Sequence, residues 1–98
     1  MIKAIAQSKT LTIAYTKDFK KDFDKLSLKQ VLSTEFTEVM YHLQHGLPLP
    51  EKYRDHPLKG KMKAYRDCHI QNDLVLIYSI KDGVLTLIRL NSHSEIFN

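Results

Sequence analysis

The sequence has one cysteine, no tryptophan, and only three glycines and three prolines among its 98 residues. Cys68 has no partner for an internal disulfide, which is typical of a small domain from a reducing compartment. No repeat, low-complexity segment or disorder signature is present, and hydrophobic residues make up 43% of the chain. We therefore expect a single globular domain over residues 1–98, because so short a chain holds only one hydrophobic core.

Long apolar segments are also absent. The longest run, Leu74–Ile80, is interrupted by Ser79 and is far shorter than the roughly 20 residues that a membrane-spanning helix needs. Residues 1–8 are too few and too polar for a secretory signal. These absences predict a cytoplasmic protein that does not contact a membrane.

Basic side chains outnumber acidic ones by 15 to 11, which gives a formal net charge of +4. The excess is concentrated between residues 52 and 66, where Asp55 is the only acid. The basic residues of this segment are Lys52, Arg54, Lys59, Lys61, Lys63 and Arg66. Such a cluster suits an RNA backbone or an acidic protein partner, although a solvated surface that keeps the domain soluble would have the same composition.

Hydrophobic periodicity predicts two helices near the N-terminus. Residues 11–15 alternate as a strand does, and Thr16 after them fits a helix N-cap. A second, longer helix is predicted to begin at the capping box formed by Ser27 and Gln30 and to end before Gly46. Because almost no linker separates the two helices, we expect them to form an antiparallel hairpin.

Three strand-like runs follow the basic segment, at about residues 62–70, 74–80 and 84–90. Short turns join them, and Asp82-Gly83 is a strong hairpin signal, so the three strands should form an antiparallel meander. The element order is then β-α-α-β-β-β, which predicts an α+β fold of two layers with the helices covering one face of the sheet.

Five histidines are present, which is many for a chain of this length. His42 and His45 lie near the end of the predicted second helix, where a structural role is expected. The others lie beside predicted strand ends or in the basic loop, together with one aspartate: His56, His69, Asp73 and His93. Adjacent strands of the meander could bring the last three of these residues to one end of the sheet.

Such a set of residues suits the cleavage of RNA without a metal. That reaction needs a base for the 2′-hydroxyl, an acid for the 5′-oxygen and cations at the phosphate, and imidazoles can serve as either acid or base near neutral pH. Arg66 and Arg89 could hold the phosphate. Two other interpretations remain open: the set could bind a metal, although it contains no short-spaced ligand pair, or each histidine could satisfy local hydrogen bonds.

Several motifs resemble the YafQ branch of the RelE toxin superfamily. They occupy residues 47–50, 53–60, 65–69, 72–78 and 89–97, and include a His-Pro-Leu-x-Gly and a Tyr-Arg-Asp-x-His segment. Their order and spacing match the family over roughly residues 11–97, so residues 1–10 would be an extension or a mobile segment. The resemblance implies a RelE-like two-layer fold, with an antiparallel sheet of about four strands covered on one face by an N-terminal helical hairpin.

The resemblance also implies a function. YafQ-like proteins are toxins of type II toxin–antitoxin systems, endoribonucleases that cut mRNA on the ribosome without a metal or cofactor. A cognate antitoxin blocks them, usually a ribbon-helix-helix protein of the DinJ kind. An alternative is a binding module with the same fold but no catalysis, as in ParE-like toxins that act on gyrase; such a protein would have no chemical reason to carry the histidine set.

Carried over residue by residue, the resemblance implies a catalytic group consisting of His56, His69, Asp73, His93 and Phe97. His93 is the first choice for direct proton transfer, and Phe97 could stack on an RNA base. Asp73 would be a base or an orienting group, and the division of acid and base roles stays open. The residues expected to bind RNA are Lys52, Arg54, Lys59, Lys61, Lys63, Arg66 and Arg89.

Overall fold

A five-stranded sheet and four α-helices make up residues 10–97, the part of the chain that the computed structural model describes. In chain order the elements are β1 Thr12–Tyr15, α1 Lys17–Asp24, α2 Leu28–Val31, α3 Thr34–Gln44, β2 His56–Pro57, β3 Arg66–Gln71, β4 Leu74–Lys81, β5 Val84–Asn91 and α4 His93–Phe97. Short 3-10 helices at Glu51–Tyr53 and Gly60–Met62 lie before and after β2. Within this part of the chain, no helix is long and apolar enough to cross a membrane.

The sheet confirms the predicted α+β class but differs from the expected sheet in two respects. Its strand order is β1-β5-β4-β3-β2, and β3, β4 and β5 form the predicted antiparallel meander. However, β1 pairs in parallel with β5, with Thr12 opposite Val84, so the sheet is mixed rather than antiparallel. A fifth strand, β2, adds two residue pairs to the other edge. Two residues are too few to show alternation, and strand direction depends on tertiary pairing, so neither feature was predictable.

The predicted second helix is in fact two helices. Its capping box is confirmed, since Gln30 N donates to Ser27 Oγ at 3.2 Å and Ser27 N donates to Gln30 Oε1 at 2.9 Å. The helix nevertheless ends at Val31, because Ser33 caps a new helix by accepting a hydrogen bond from Phe36 N at 3.1 Å. A serine hydroxyl inside an apolar stripe offers the backbone this alternative. The expectation of a direct two-helix hairpin was therefore wrong.

The core lies between the helices and one face of the sheet. Helix α1 packs on β5 and α3 packs on β3, and the two helices meet where the rings of Phe23 and Phe36 lie 6.3 Å apart. Val39 and Leu43 of α3 are buried against the sheet, whereas Leu32 at the end of α2 is 72% exposed. The apolar stripe of the sequence thus contributes to the core mainly through α3.

Asp22 on α1 is the main polar link between the helices and the end of β5. Only 6% of Asp22 is exposed, and its carboxylate accepts hydrogen bonds from Arg89 Nε at 2.7 Å, Leu90 N at 2.9 Å and Asn91 Nδ2 at 3.1 Å. Burial alone would raise the pKa of Asp22, but the hydrogen bond from Arg89, followed by those from Leu90 and Asn91, outweighs it and lowers the pKa below its ordinary value.

Acid should destabilise the fold through Asp22. A carboxyl group whose folded-state pKa is lowered contributes stability above its unfolded-state pKa, near 3.8, and loses it as the pH falls through the folded-state value. We expect Asp22→Asn to lower the free energy of unfolding by about 3 kcal/mol at neutral pH. In urea titrations at several pH values, this difference from the wild type should shrink below pH 3.8.

Asp24→Asn is the matched control, because Asp24 is an exposed residue of the same helix whose one ion pair within the described part of the chain is with Lys20. Surface pairs of this kind contribute little, so this variant should unfold like the wild type at neutral pH. A difference between wild type and Asp22→Asn that is the same at every pH would contradict the assignment to carboxylate titration.

Candidate active site

A buried anchor fixes the loop that carries His56. Asp55, the preceding residue, accepts a hydrogen bond from the Tyr78 hydroxyl at 2.5 Å and forms an ion pair with Arg66 Nη2 at 3.1 Å. Tyr78 is 2% exposed, and burial together with the bond to Asp55 raises the pKa of its hydroxyl above the usual range, so it remains a donor. Arg54 adopts a left-handed backbone conformation with φ of 50°, which turns the chain into β2. The position of His56 is therefore fixed by the contacts of the neighbouring Asp55 with the buried Tyr78 and with Arg66.

Asp67 lies between two of the histidines. Its carboxylate is 4% exposed, and Oδ1 lies 3.2 Å from His56 Nε2 and 3.9 Å from His69 Nε2. Cross-strand pairing explains the first contact, because His56 of β2 is directly opposite Asp67 of β3. Alternation along β3 explains the second contact, because it places Asp67 and His69 on one face of the strand. The two imidazole rings lie 6.4 Å apart and nearly parallel.

Acceptor oxygens lie beside both ring nitrogens of His56. Nδ1 lies 2.8 Å from the carbonyl oxygen of Arg54, which can only accept, so Nδ1 carries a proton. Asp67 Oδ1 is a second acceptor, close to Nε2, but the pair is not aligned as a hydrogen bond and this buried oxygen has no other partner within the described residues. The carbonyl and the carboxylate together orient the ring.

A second group of residues gathers at the start of α4. Asp73 occupies the turn between β3 and β4, with φ of 53°, and its Oδ1 accepts a hydrogen bond from His93 N at 3.1 Å. The ring of His93 faces that of Phe97, with centroids 4.7 Å apart, and both residues are exposed. The predicted proximity of Asp73 and His93 is confirmed, although Asp73 precedes β4 instead of opening it and α4 itself was not predicted.

The strand register brings the His56–Asp67–His69 cluster and the Asp73–His93 pair to the same end of the sheet. His69 of β3 and Asn91 of β5 both pair with Val75 of β4, and His93 follows Asn91 by two residues. Two strand spacings separate β3 from β5, about 10 Å. A phosphodiester backbone can therefore reach the His56–Asp67–His69 cluster and His93 at once.

Known proteins resemble this chain along most of its length. The family described as bacterial toxin of type II toxin-antitoxin system, YafQ, matches residues 11–98. The chain belongs to the YafQ toxin family. The mRNA interferase toxin YafQ of Escherichia coli K12 is 38% identical over 89 residues, which cover 85% of this chain and 87% of that protein.

Solved structures of YafQ-family proteins share the fold. YafQ in the DinJ-YafQ toxin-antitoxin complex of E. coli is 36% identical, with a TM-score of 0.76, and the match covers 91% of this chain and 99% of that one. A copper-bound mutant toxin from Helicobacter pylori is 46% identical, with a TM-score of 0.80 and coverage of 89% and 99%. In this chain, no group of three or more histidine, cysteine, aspartate or glutamate residues between positions 10 and 97 is arranged to hold a metal ion.

The basic residues expected to bind RNA fall into two groups in this YafQ-family chain. Arg89 and Arg66 are held in ion pairs with Asp22 and Asp55, so they position other elements of the fold. Those on the surface of the loop between α3 and β3 are Lys52, Arg54, Lys59, Lys61 and Lys63. The structure thus gives no support to a phosphate contact through Arg89, while the loop cations remain accessible.

Asp67 was not identified from the sequence as a candidate site residue, although the Tyr-Arg-Asp-x-His motif that contains it was. Nothing in the sequence around a single strand aspartate shows whether its carboxylate is buried. Its position two residues before His69, on the same face, is the one feature that could have identified it. The structural role predicted for His42 and His45 agrees with their contacts, since each Nδ1 lies within 2.8 Å of the carbonyl oxygen four residues earlier in α3.

Proposed function

We propose that this chain is a type II toxin that cleaves mRNA on the ribosome by metal-independent acid–base catalysis. The observation that carries the proposal is the placement of the His56–Asp67–His69 cluster and of His93 at one end of the sheet. Two imidazole groups on either side of a phosphate supply the acid and the base that 2′-hydroxyl attack requires. The E. coli relatives that carry the name mRNA interferase toxin YafQ support the same substrate.

The reaction follows from these positions. A base removes the proton of the 2′-hydroxyl, the 2′-oxygen bonds to phosphorus, and the bond from phosphorus to the 5′-oxygen breaks. An acid protonates the departing 5′-oxygen, which leaves a 2′,3′-cyclic phosphate and a free 5′-hydroxyl. Because one proton is taken up and one is given back, no metal or cofactor is needed to balance the step.

The environments of the imidazoles suggest how the roles divide. His56 lies between a backbone carbonyl and the Asp67 carboxylate, which orient its ring for a role as hydrogen-bond or proton donor to the phosphate. His69 lies 3.9 Å from the same carboxylate, which orients it as well. His93 is exposed and fixed through its backbone, so its ring is available for proton transfer to or from the substrate. Phe97 beside it provides a surface for base stacking.

The proposed partners are mRNA, the ribosome and a cognate antitoxin. The accessible cations of the loop between α3 and β3 suit the phosphates of ribosomal RNA and the acidic side chains of an antitoxin. The complex of E. coli YafQ with DinJ supports an antitoxin of the ribbon-helix-helix kind for this chain as well. Both mRNA and ribosomes place the protein in the cytoplasm.

Cleavage of mRNA in programmed ribosomes tests the proposal, with EDTA present and with the cut site and end groups mapped. We expect a cut in the decoding site that leaves a 2′,3′-cyclic phosphate on the upstream fragment. Folded protein that cuts nothing would overturn the proposal in favour of a binding module of the same fold. Activity that appears only on addition of copper or another metal would show a metallonuclease instead, an outcome that the copper-bound H. pylori toxin makes worth testing.

A further inference from the structure

An open groove of about 730 Å³ lies beside the proposed catalytic residues and has no part in the mechanism above. His69 and Asp73 form one end of it. The rest of its lining comes from α3, from the first 3-10 helix and the residue after it, and from the end of β3 and the turn that follows: Glu35, Lys52, Tyr53, Arg54, Ile70, Gln71 and Asn72. Its volume is within the range of about 300–1,000 Å³ that small-ligand sites occupy.

We propose that this groove is a nucleobase subsite that receives the mRNA base next to the cleaved bond and prefers a base with an exocyclic amino group. The inference rests on the proposed function and adds a source of sequence preference to it. The amino group is on C6 of adenine, C4 of cytosine and C2 of guanine, whereas both exocyclic groups on the uracil ring are carbonyl oxygens.

The position of the groove favours a base of the substrate. His69 is shared between the groove and the Asp67 cluster, so a nucleotide whose phosphate lies at His69 can place its base in the groove. The cations of Lys52 and Arg54 at the rim suit the adjoining phosphate. Proteins that read single-stranded RNA take splayed bases into such recesses and recognise them at the Watson–Crick edge.

The polar groups of the groove favour amino-bearing bases. The carboxylate of Glu35 can only accept hydrogen bonds, and the Gln71 amide beside it donates to Glu35 Oε1 over a long 3.3 Å contact. An exocyclic amino group can donate to the carboxylate, and the amide can pair with the neighbouring ring atom. Uracil offers the carboxylate only its N3–H, and the carbonyl oxygens on either side of this donor repel the carboxylate.

The floor of the groove is held rigidly enough to distinguish one base from another. Tyr53 is 2% exposed, its hydroxyl donates to Glu38 at 2.5 Å, and the ammonium of Lys52 lies over its ring at 5.1 Å. An irregular register between His69 and Gln71 at the end of β3 places Gln71 out of step with the strand. An acidic segment of an antitoxin fits less well than a base, because Glu35 and Asp73 would repel it.

The test is a cleavage profile on ribosomes programmed with an mRNA library randomised around the cut. Wild-type protein should cut at least about tenfold faster when the base next to the cleaved bond is adenine, cytosine or guanine than when it is uracil. In Glu35→Gln the new amide can donate to a uracil carbonyl, so the discrimination should fall to about twofold or reverse, while cleavage at the preferred sites continues. Gln71→Leu should also weaken the discrimination.

Glu51→Gln and Gln44→Leu are the matched controls, because both residues lie outside the groove lining. Circular dichroism confirms folding of each variant. A wild-type profile indifferent to uracil, or an unchanged profile in both groove variants, would overturn the subsite while leaving the nuclease intact. Lost antitoxin affinity in Glu35→Gln with an unchanged profile would also overturn it and assign the groove to a protein. Absence of any wild-type cleavage would instead count against the proposed function.

Discussion

Replacing His93 with alanine should lower the rate of mRNA cleavage by about 10²–10⁴-fold, the usual contribution of a general acid or base. The fold should survive, because the imidazole is exposed and its closest aromatic neighbour is the exposed Phe97 ring. The hydrogen bond that ties α4 to Asp73 should survive as well, since the donor is the backbone N–H of residue 93 and every side chain except proline keeps it. The lower cleavage rate would then result from the missing acid–base group and not from misfolding.

The measurement is single-turnover cleavage on programmed ribosomes, alongside growth arrest on expression and affinity for the antitoxin. His45→Ala is the matched control, because among residues 10–97 the His45 ring bonds only to the carbonyl oxygen of Tyr41, so this variant should retain full activity. Undiminished toxicity of the His93 variant would remove His93 from the catalytic group and leave the histidine cluster around Asp67 to provide both proton transfers.

Local signals in the sequence predicted the elements whose structure is decided locally. Asp82 and Gly83, with φ of 51° and 78°, form the tight turn that their residue types indicate, and the meander on either side follows. Gly46 adopts φ of 67° just after α3, as a residue that ends a helix does. Ser33 carried a signal that was overlooked, since a serine followed by threonine and glutamate is a typical helix start.

Features that depend on distant contacts were not predictable. The parallel pairing of β1 with β5 joins residues about 70 positions apart, and α4 is only five residues long, too short for periodicity to show. The candidate site has the same limit. The sequence indicated which histidines to consider, but the burial of Asp67 follows only from the pairing of β2 with β3 and could not be read from alternation.

Asp67→Asn is expected to separate activity from stability. The Asp67 carboxylate is 4% exposed and its Oδ1 accepts no aligned hydrogen bond from the described residues, an arrangement that costs free energy. Asparagine has the same shape without the charge, so the free energy of unfolding should stay the same or rise by about 1 kcal/mol. A buried carboxylate without an aligned hydrogen-bond donor lowers stability, so its presence here indicates a functional role. Active sites commonly trade stability for activity in this way.

Cleavage by this variant should nevertheless fall by about 10²-fold, the lower part of the range for losing one positioned proton donor. The carboxylate lies 3.2 Å from His56 Nε2 and positions the ring, so its loss should act through His56. A double-mutant cycle with His56→Ala tests this dependence. Once residue 56 is alanine, Asp67→Asn should lower the rate little further.

Asp82→Asn, in the exposed turn between β4 and β5, controls for a general change of charge and should leave the cleavage rate unchanged. A purely structural role for Asp67 would lower stability and activity together, and would lower activity equally with and without His56. If Asp67→Asn cleaves at the wild-type rate, the His56–Asp67 pair has no role in the chemistry. Proton transfer would then belong to His93 and Asp73, which the turn before β4 already holds together.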